Sequence, residues 1–117
     1  MFLNNCTATL RGLTVADASA STDGGAIAAQ SATVYLASSA ILDTAAQDGG
    51  AVWLSASELT VVDTSINRAD ASRDGGGLYV DGSSTVDGAT LTVATTTAGG
   101  AGGSVWTAGS FTMRAGF

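Results

Sequence analysis

DGGAVWLSASELTVVDTSINRADASRDGGGLY, residues 48–79, decides the fold. It spans one full interval between two glycine pairs, Gly49-Gly50 and Gly75-Gly76, and the interval recurs on either side. DGGAIA stands at 23–28 and AGGSVW at 101–106, so the first glycines, Gly24, Gly49, Gly75 and Gly102, lie 25, 26 and 27 residues apart. A fixed period of this length marks a repeat architecture in which each unit packs on its neighbours. Aligned on the glycines, the apolar residues fall into columns. Ile27, Val52, Leu78 and Val105 form one, and Ala29, Leu54, Val80 and Thr107 a second. Val34, Leu59, Val86 and Phe111 follow, with Leu36, Val61, Gly88 and Met113 two residues on. Ile41, Ile66 and Val93 form another, which Phe117 misses by one residue, and Ala8, Leu10 and Val15 bring the opening segment into the same frame.

Within each interval the apolar residues alternate at i and i+2 over short runs, which is the period of a strand. Ser, Ala, Asp and Gly separate the runs, and such clusters mark turns. Three short strands per interval predict one coil of a parallel β-helix. Hairpin meanders need turns every 8–12 residues and leave the longer period without a cause. Helix is excluded by 16 dispersed glycines, each costing a helix about 1 kcal/mol, and by Val, Ile and Thr at the periodic positions. The lack of proline suits ladders that need every N–H. The expectation is an all-β solenoid of four to five coils, one segment over residues 1–117.

Composition limits the core and the partners. Of 117 residues 45% are hydrophobic, yet only three Phe, two Trp and two Tyr occur, so the core is narrow and built of Val, Ile, Leu and Ala. Net charge is −6, with four arginines and no lysine or histidine. A phosphate backbone needs basic clusters, and anionic membrane surfaces need them too; neither is an expected partner. Cys6 stands alone, so no intrachain disulfide forms. No apolar run reaches the roughly 18 residues of a membrane helix, and the opening residues lack the pattern of a signal peptide.

In a parallel stack each residue sits about 4.8 Å above its equivalent. The glycine pairs then mark a sharp bend where φ is positive or a side chain would clash. Alternation turns Ala28, Trp53, Tyr79 and Trp106 outward as an aromatic column, which serves either as a stacking ladder or as a platform for sugar rings. Asp23, Asp48 and Asp74 form a second column, broken at Ala101. Solvated turn carboxylates are one reading, and a Ca²⁺ site is the other. No other cofactor is expected.

The stretch 49–77 resembles the repeat of chlamydial polymorphic outer membrane proteins, which pairs GGA[IV] with a later Phe-x-x-Asn. GGAI at 24–27 and GGAV at 49–52 match, while GGGL at 75–78 and GGSV at 102–105 are looser. Val15, Ile41, Ile66 and Val93 fill the Phe position, and Ala18, Thr44, Ala69 and Thr96 the Asn position, where Thr44 and Thr96 are expected to replace part of the lost side-chain bonding. The resemblance covers roughly residues 4–117 and implies a right-handed parallel β-helix, in keeping with the right-handed rule for parallel crossovers. It also implies an extracellular or cell-surface setting.

Three functions are open. The first is a non-enzymatic structural or binding module, a segment of a larger secreted or adhesin-like protein that meets a glycan or host-surface partner. Neither end carries a polar cap, so end-to-end self-association through open coils is expected. The second is a fragment of a pectate-lyase-like enzyme. It needs a converging base and carboxylates, but Arg11 and Arg114 fall at opposite ends, Arg68 and Arg73 pair locally with Asp70 and Asp74, and Asp63, Asp81 and Asp87 are scattered. No catalytic residue is assigned. The third is ice binding by a hydroxyl array, for which Thr14, Ala40, Ser65 and Thr92 offer one column and Thr9, Tyr35, Thr60, Asp87 and Thr112 an interrupted one.

Overall fold

A computed structural model describes residues 2–94, 96–103 and 105–113. Arg114 and Phe117, assigned to the last coil, lie outside the described residues. The first coil contains β1 (Phe2–Asn4), β2 (Thr7–Arg11) and β3 (Thr14–Ala16), and the second β4 (Ile27–Gln30), β5 (Thr33–Ala37) and β6 (Ala40–Ala46). The third contains β7 (Val52–Ser55) and β8 (Glu58–Ala71). The fourth contains β9 (Leu78–Val80), β10 (Thr85–Ala94) and β11 (Thr97–Ala98), and β12 (Val105–Thr107) and β13 (Ser110–Met113) follow. The described residues include no helix.

Every strand pairing is parallel and joins a residue to its equivalent one coil away. One sheet runs β1-β4-β7-β9-β12, and the other β13-β10-β8-β5-β2, with β3, β6 and β11 joining through β6 and β8. The result is a β-solenoid of about four turns. The register confirms the columns residue by residue: Ile27↔Val52↔Leu78↔Val105, Val34↔Leu59↔Val86↔Phe111 and Val15↔Ile41↔Ile66↔Val93. The inner faces form one narrow core in which Ile27, Ile41, Val52, Leu54, Leu78 and Val80 are fully buried. Each such side chain contributes about 1.5–3 kcal/mol.

Four corners turn each coil. The first glycine of each pair holds φ between +61° and +67°, where a Cβ would also meet its own chain's carbonyl three residues on. The second glycine answers to a different constraint. A Cβ on Gly25, Gly50 or Gly76 would run into the carbonyl oxygen of Gly50, Gly76 or Gly103 in the next coil. The other corners also use left-handed backbone, but without glycine in most coils: Asn5, Ser31 and Ala56; Ser38, Asp63 and Thr90 above Gly12; and Asp17, Asp43 and Arg68. Buried hydroxyls close two of these corners. Leu13 N–H donates to Ser39 Oγ (3.2 Å), Ala32 N–H to Ser57 Oγ (3.1 Å) and Ser57 N–H to Ser84 Oγ (3.0 Å).

Candidate functional site

The aspartate column sits at the glycine corner, where the chain must leave one coil and enter the next. Asp23 and Asp48 pair in parallel register. Asp74 N–H donates to Asp48 Oδ1 (3.1 Å), and Ala101 N–H donates to Asp74 Oδ1 (2.7 Å). Each of these carboxylates therefore caps main chain in the coil after its own. Asp48 is only 3% exposed, which corrects the expectation of a solvated turn carboxylate. Arg73 Nε donates to Asp48 Oδ1 (3.2 Å) and its Nη2 to Oδ2, so the buried charge has a fork-shaped partner. Burial pushes the Asp48 carboxyl up, but the Arg73 guanidinium and the Asp74 N–H outweigh it and hold it below the ordinary carboxylate range. Asp23 moves the other way: burial, then the Asp48 charge, raise it.

The arginines do not pair with their sequence neighbours as expected. Both reach back one coil, Arg73 to Asp48 and Arg68 to Asp43, because coil stacking brings residues 25 apart closer than side chains on a turn. Arg68 Nε and Nη2 donate to Asp43 Oδ1 (2.6 Å) and Oδ2 (2.8 Å). This pair holds the Asp43 carboxyl below its usual range. Thr97 Oγ1 donates to Asp70 Oδ1, again across one coil. Asp43, Thr44, Ala45, Arg68, Asp70 and Thr97 line an open groove of about 430 Å³.

Asp81, one of the scattered carboxylates, is a junction between coils. Its oxygens accept from Ser55 Oγ (2.8 Å), Ala56 N–H (3.2 Å), Ser83 N–H (3.0 Å) and Ser84 Oγ (2.7 Å). Burial raises the carboxyl, and these donors overcome the burial and lower it. Among the described residues no three His, Cys, Asp or Glu side chains are arranged to hold a metal ion. Asp48 and Asp74 instead direct their oxygens to main-chain N–H groups and, for Asp48, to Arg73.

The aromatic column is continuous in register, running Phe2↔Ala28↔Trp53↔Tyr79↔Trp106. Tyr79 and Trp106 are stacked, with ring centroids 4.4 Å apart and planes 7° from parallel. The separation is close to the strand spacing of about 4.8 Å, so the coil repeat itself brings the rings into contact. Trp53 is in register with Tyr79 but stands outside the stacked pair. Burial, then the carboxylates of Asp48, Asp74 and Asp81, push the Tyr79 phenol up.

The register also reveals a hydroxyl column that sequence reading missed. Thr7, Thr33, Glu58, Thr85 and Ser110 stand beside Thr9, Tyr35, Thr60, Asp87 and Thr112. The signal was available in the recurrence of Thr or Ser two residues before the second column in four of five coils, but Glu58, Tyr35 and Asp87 break the flat array that ice binding needs. Arg11 lies 5.3 Å over the Tyr35 ring, a cation–π contact across one coil. Thr44 is a second correction. It is 2% exposed and faces the core, yet its Oγ1 has no hydrogen-bond partner, so it does not replace the bonding of an internal Asn.

No family model, curated protein or solved structure matches the chain.

Proposed function

We propose that this chain is a non-enzymatic scaffold and binding module, a β-solenoid segment of a larger surface-exposed or secreted, adhesin-like protein. One observation carries the reading. The charged and hydroxyl side chains that elsewhere would build a catalytic centre are spent on bonds between successive coils: Asp43 with Arg68, Asp48 with Arg73, Asp70 with Thr97, and Asp81 with Ser55. Asp43, Arg68, Asp70 and Thr97 share one groove, but there too each is bonded to its partner one coil away, and general acid–base chemistry needs a group poised toward a substrate. Such a module holds an outward face at a set distance and presents it to a partner. The face best suited to a glycan is the aromatic column of Trp53, Tyr79 and Trp106, since half-buried aromatic rings offer large contact area at little entropic cost. The GGA[IV] half of the polymorphic outer membrane protein repeat supports the same setting. Under this reading the Asp23, Asp48 and Asp74 column is a corner clasp, and added Ca²⁺ leaves thermal stability unchanged.

Two experiments test it. Antibodies raised against the chain label intact source cells or their culture medium; labelling only after permeabilisation refutes the surface assignment. Incubation of the chain with polygalacturonate and Ca²⁺ leaves the polymer intact; release of unsaturated or reducing ends establishes the pectate-lyase-like alternative instead.

A further inference from the structure

We infer that Asn5 is a modification site, the acceptor of an N-linked oligosaccharide. The inference rests on the secreted or surface setting proposed above, since polyprenyl-linked sugars are transferred on the far side of a membrane. Asn5, Cys6 and Thr7 form Asn-x-Thr, the acceptor pattern that an oligosaccharyltransferase reads through the asparagine carboxamide and the threonine hydroxyl. Of the three asparagines only Asn5 has Thr or Ser two residues on; Cys6 stands there for Asn4 and Ala69 for Asn67.

The fold puts both recognised residues on the outside. Asn5 and Thr7 are exposed. Asn4 pairs with Gln30 and Gln30 with Ser55, so Asn5, one residue on, shares its corner with Ser31 and Ala56. Ser31 and Ala56 have coils on both sides and are exposed too, as are Thr33, Glu58 and Thr85 in the column of Thr7. The exposure therefore belongs to the corner and the column, and not to the first coil. Cys6 lies between them in the column of Ala32, Ser57 and Ser84, which are all buried. Main-chain bonds fix this alternation: Asn5 N–H donates to Gln30 O (3.1 Å) and Thr33 N–H to Cys6 O (2.9 Å).

Packing forces neither half of the pattern. Asn5 holds φ at 51°, where asparagine is favoured among residues other than glycine. Ser31 and Ala56 nevertheless hold 53° and 49° at the equivalent positions. Glu58 stands in the column of Thr7, so that column does not need a hydroxyl. There is also room for a bulky surface group. The residues along the corner are short, namely Ser31, Ala56, Gly82 and Ser83, and all are exposed. A Cβ added to Gly82 would meet nothing within 4 Å.

The co-substrate is an oligosaccharide carried on a polyprenyl pyrophosphate. The Asn5 Nδ2 attacks C1 of its first sugar. The Nδ2–C1 bond forms and the C1–O bond breaks, its electron pair leaving on the polyprenyl pyrophosphate. Nδ2 gives up one proton to a base of the transferase, and no oxidant or reductant is needed.

The test recovers the full chain from source cells and their medium and measures its intact mass before and after a peptide amidase that cleaves N-linked glycans. The expected result is a heavier form that the amidase returns to the mass of the bare chain with Asn5 converted to Asp, located by peptide mass. Expressed in the source cells, Asn5→Gln and Thr7→Ala each lose the heavier form, and Thr7→Ser keeps it. Thr7 is exposed on a strand, so its two variants keep the test open if Asn5→Gln does not fold at its positive φ. A bare Asn5 on chain taken from the cell surface or the medium overturns the inference while the surface reading stands. A bare Asn5 on chain found only inside the cell overturns both. A heavier form that survives Asn5→Gln or Thr7→Ala places the added group elsewhere and overturns the assignment.

Discussion

Gly50→Ala adds a single methyl at a place where only main chain surrounds it. The new Cβ meets the carbonyl oxygen of Gly76 and the carbonyl group of Asp70, and neither can swing aside as a flexible side chain would. Relief therefore requires the third and fourth coils to part at this corner. Four bonds hold it: Gly49 N–H to Asp74 O (3.0 Å), Gly50 N–H to Gly75 O (3.1 Å), and Ala51 and Val52 N–H to Gly77 O (3.1 and 3.0 Å). At about 1 kcal/mol net per bond the corner loses at most about 4 kcal/mol. Overpacking elsewhere costs about 1–3 kcal/mol, and the stiffer unfolded chain of an alanine variant returns about 0.4–1 kcal/mol. The expected loss is thus about 2–4 kcal/mol. Gly82→Ala is the control, since a Cβ there meets nothing within 4 Å and its φ is not positive. It should be neutral or stabilise by up to about 1 kcal/mol. Urea unfolding followed by far-ultraviolet circular dichroism measures both, with the slope against urea checked for constancy. If Gly50→Ala unfolds within about 0.5 kcal/mol of the parent, a spread smaller than the ordinary effect of a surface change, then coil contact is not what keeps glycine at this position.

Three further outcomes follow from the same packing. Thr44→Val should stabilise the chain by about 1–2 kcal/mol, since it removes a buried hydroxyl that lacks a partner; a loss of stability in thermal melts refutes the assignment. Thr90 is an exposed β-branched residue at φ 57° in the corner column of Gly12, so Thr90→Asn should gain up to about 1 kcal/mol, and an unchanged or lower urea midpoint counts against strain there. For pH, Asp48 and Asp81 are lowered, so their contribution is present above the ordinary carboxylate pKa of about 4 and is lost as pH falls through their folded values. Asp23 is raised, so its contribution is present below about 4 and is lost as pH rises through its folded value. Asp23→Asn should therefore gain stability relative to the parent at neutral pH and not near pH 4, and equal curves for the two proteins across that range refute the raised Asp23 carboxyl.

Much of the fold was legible because it repeats. A parallel coil stack puts each residue against its own equivalent, so Ile27, Val52 and Leu78 touch for the same reason that they align. The candidate site was legible only as columns. Trp53, Tyr79 and Trp106 could be placed on one outward line, but which rings stack depends on side-chain rotamers that carry no period. The arginine partners were misread because adjacency along a turn was taken as adjacency in space, whereas Arg68 and Arg73 lie nearest to carboxylates one coil back. The other three corners were hidden because residues such as Ser38, Asp63 and Thr90, above Gly12 in one of them, share a backbone conformation without sharing a residue type.

By itself, then, the sequence determined the coil, its register and its inward and outward faces, since periodicity alone dictates which residues are stacked. Only the tertiary structure decided what the polar side chains do. Asp48 is buried beneath Arg73, Asp81 gathers four donors, and Thr44 is left with none. Those outcomes depend on hydrogen-bond distances of about 3 Å, finer than the coil spacing that the repeat encodes.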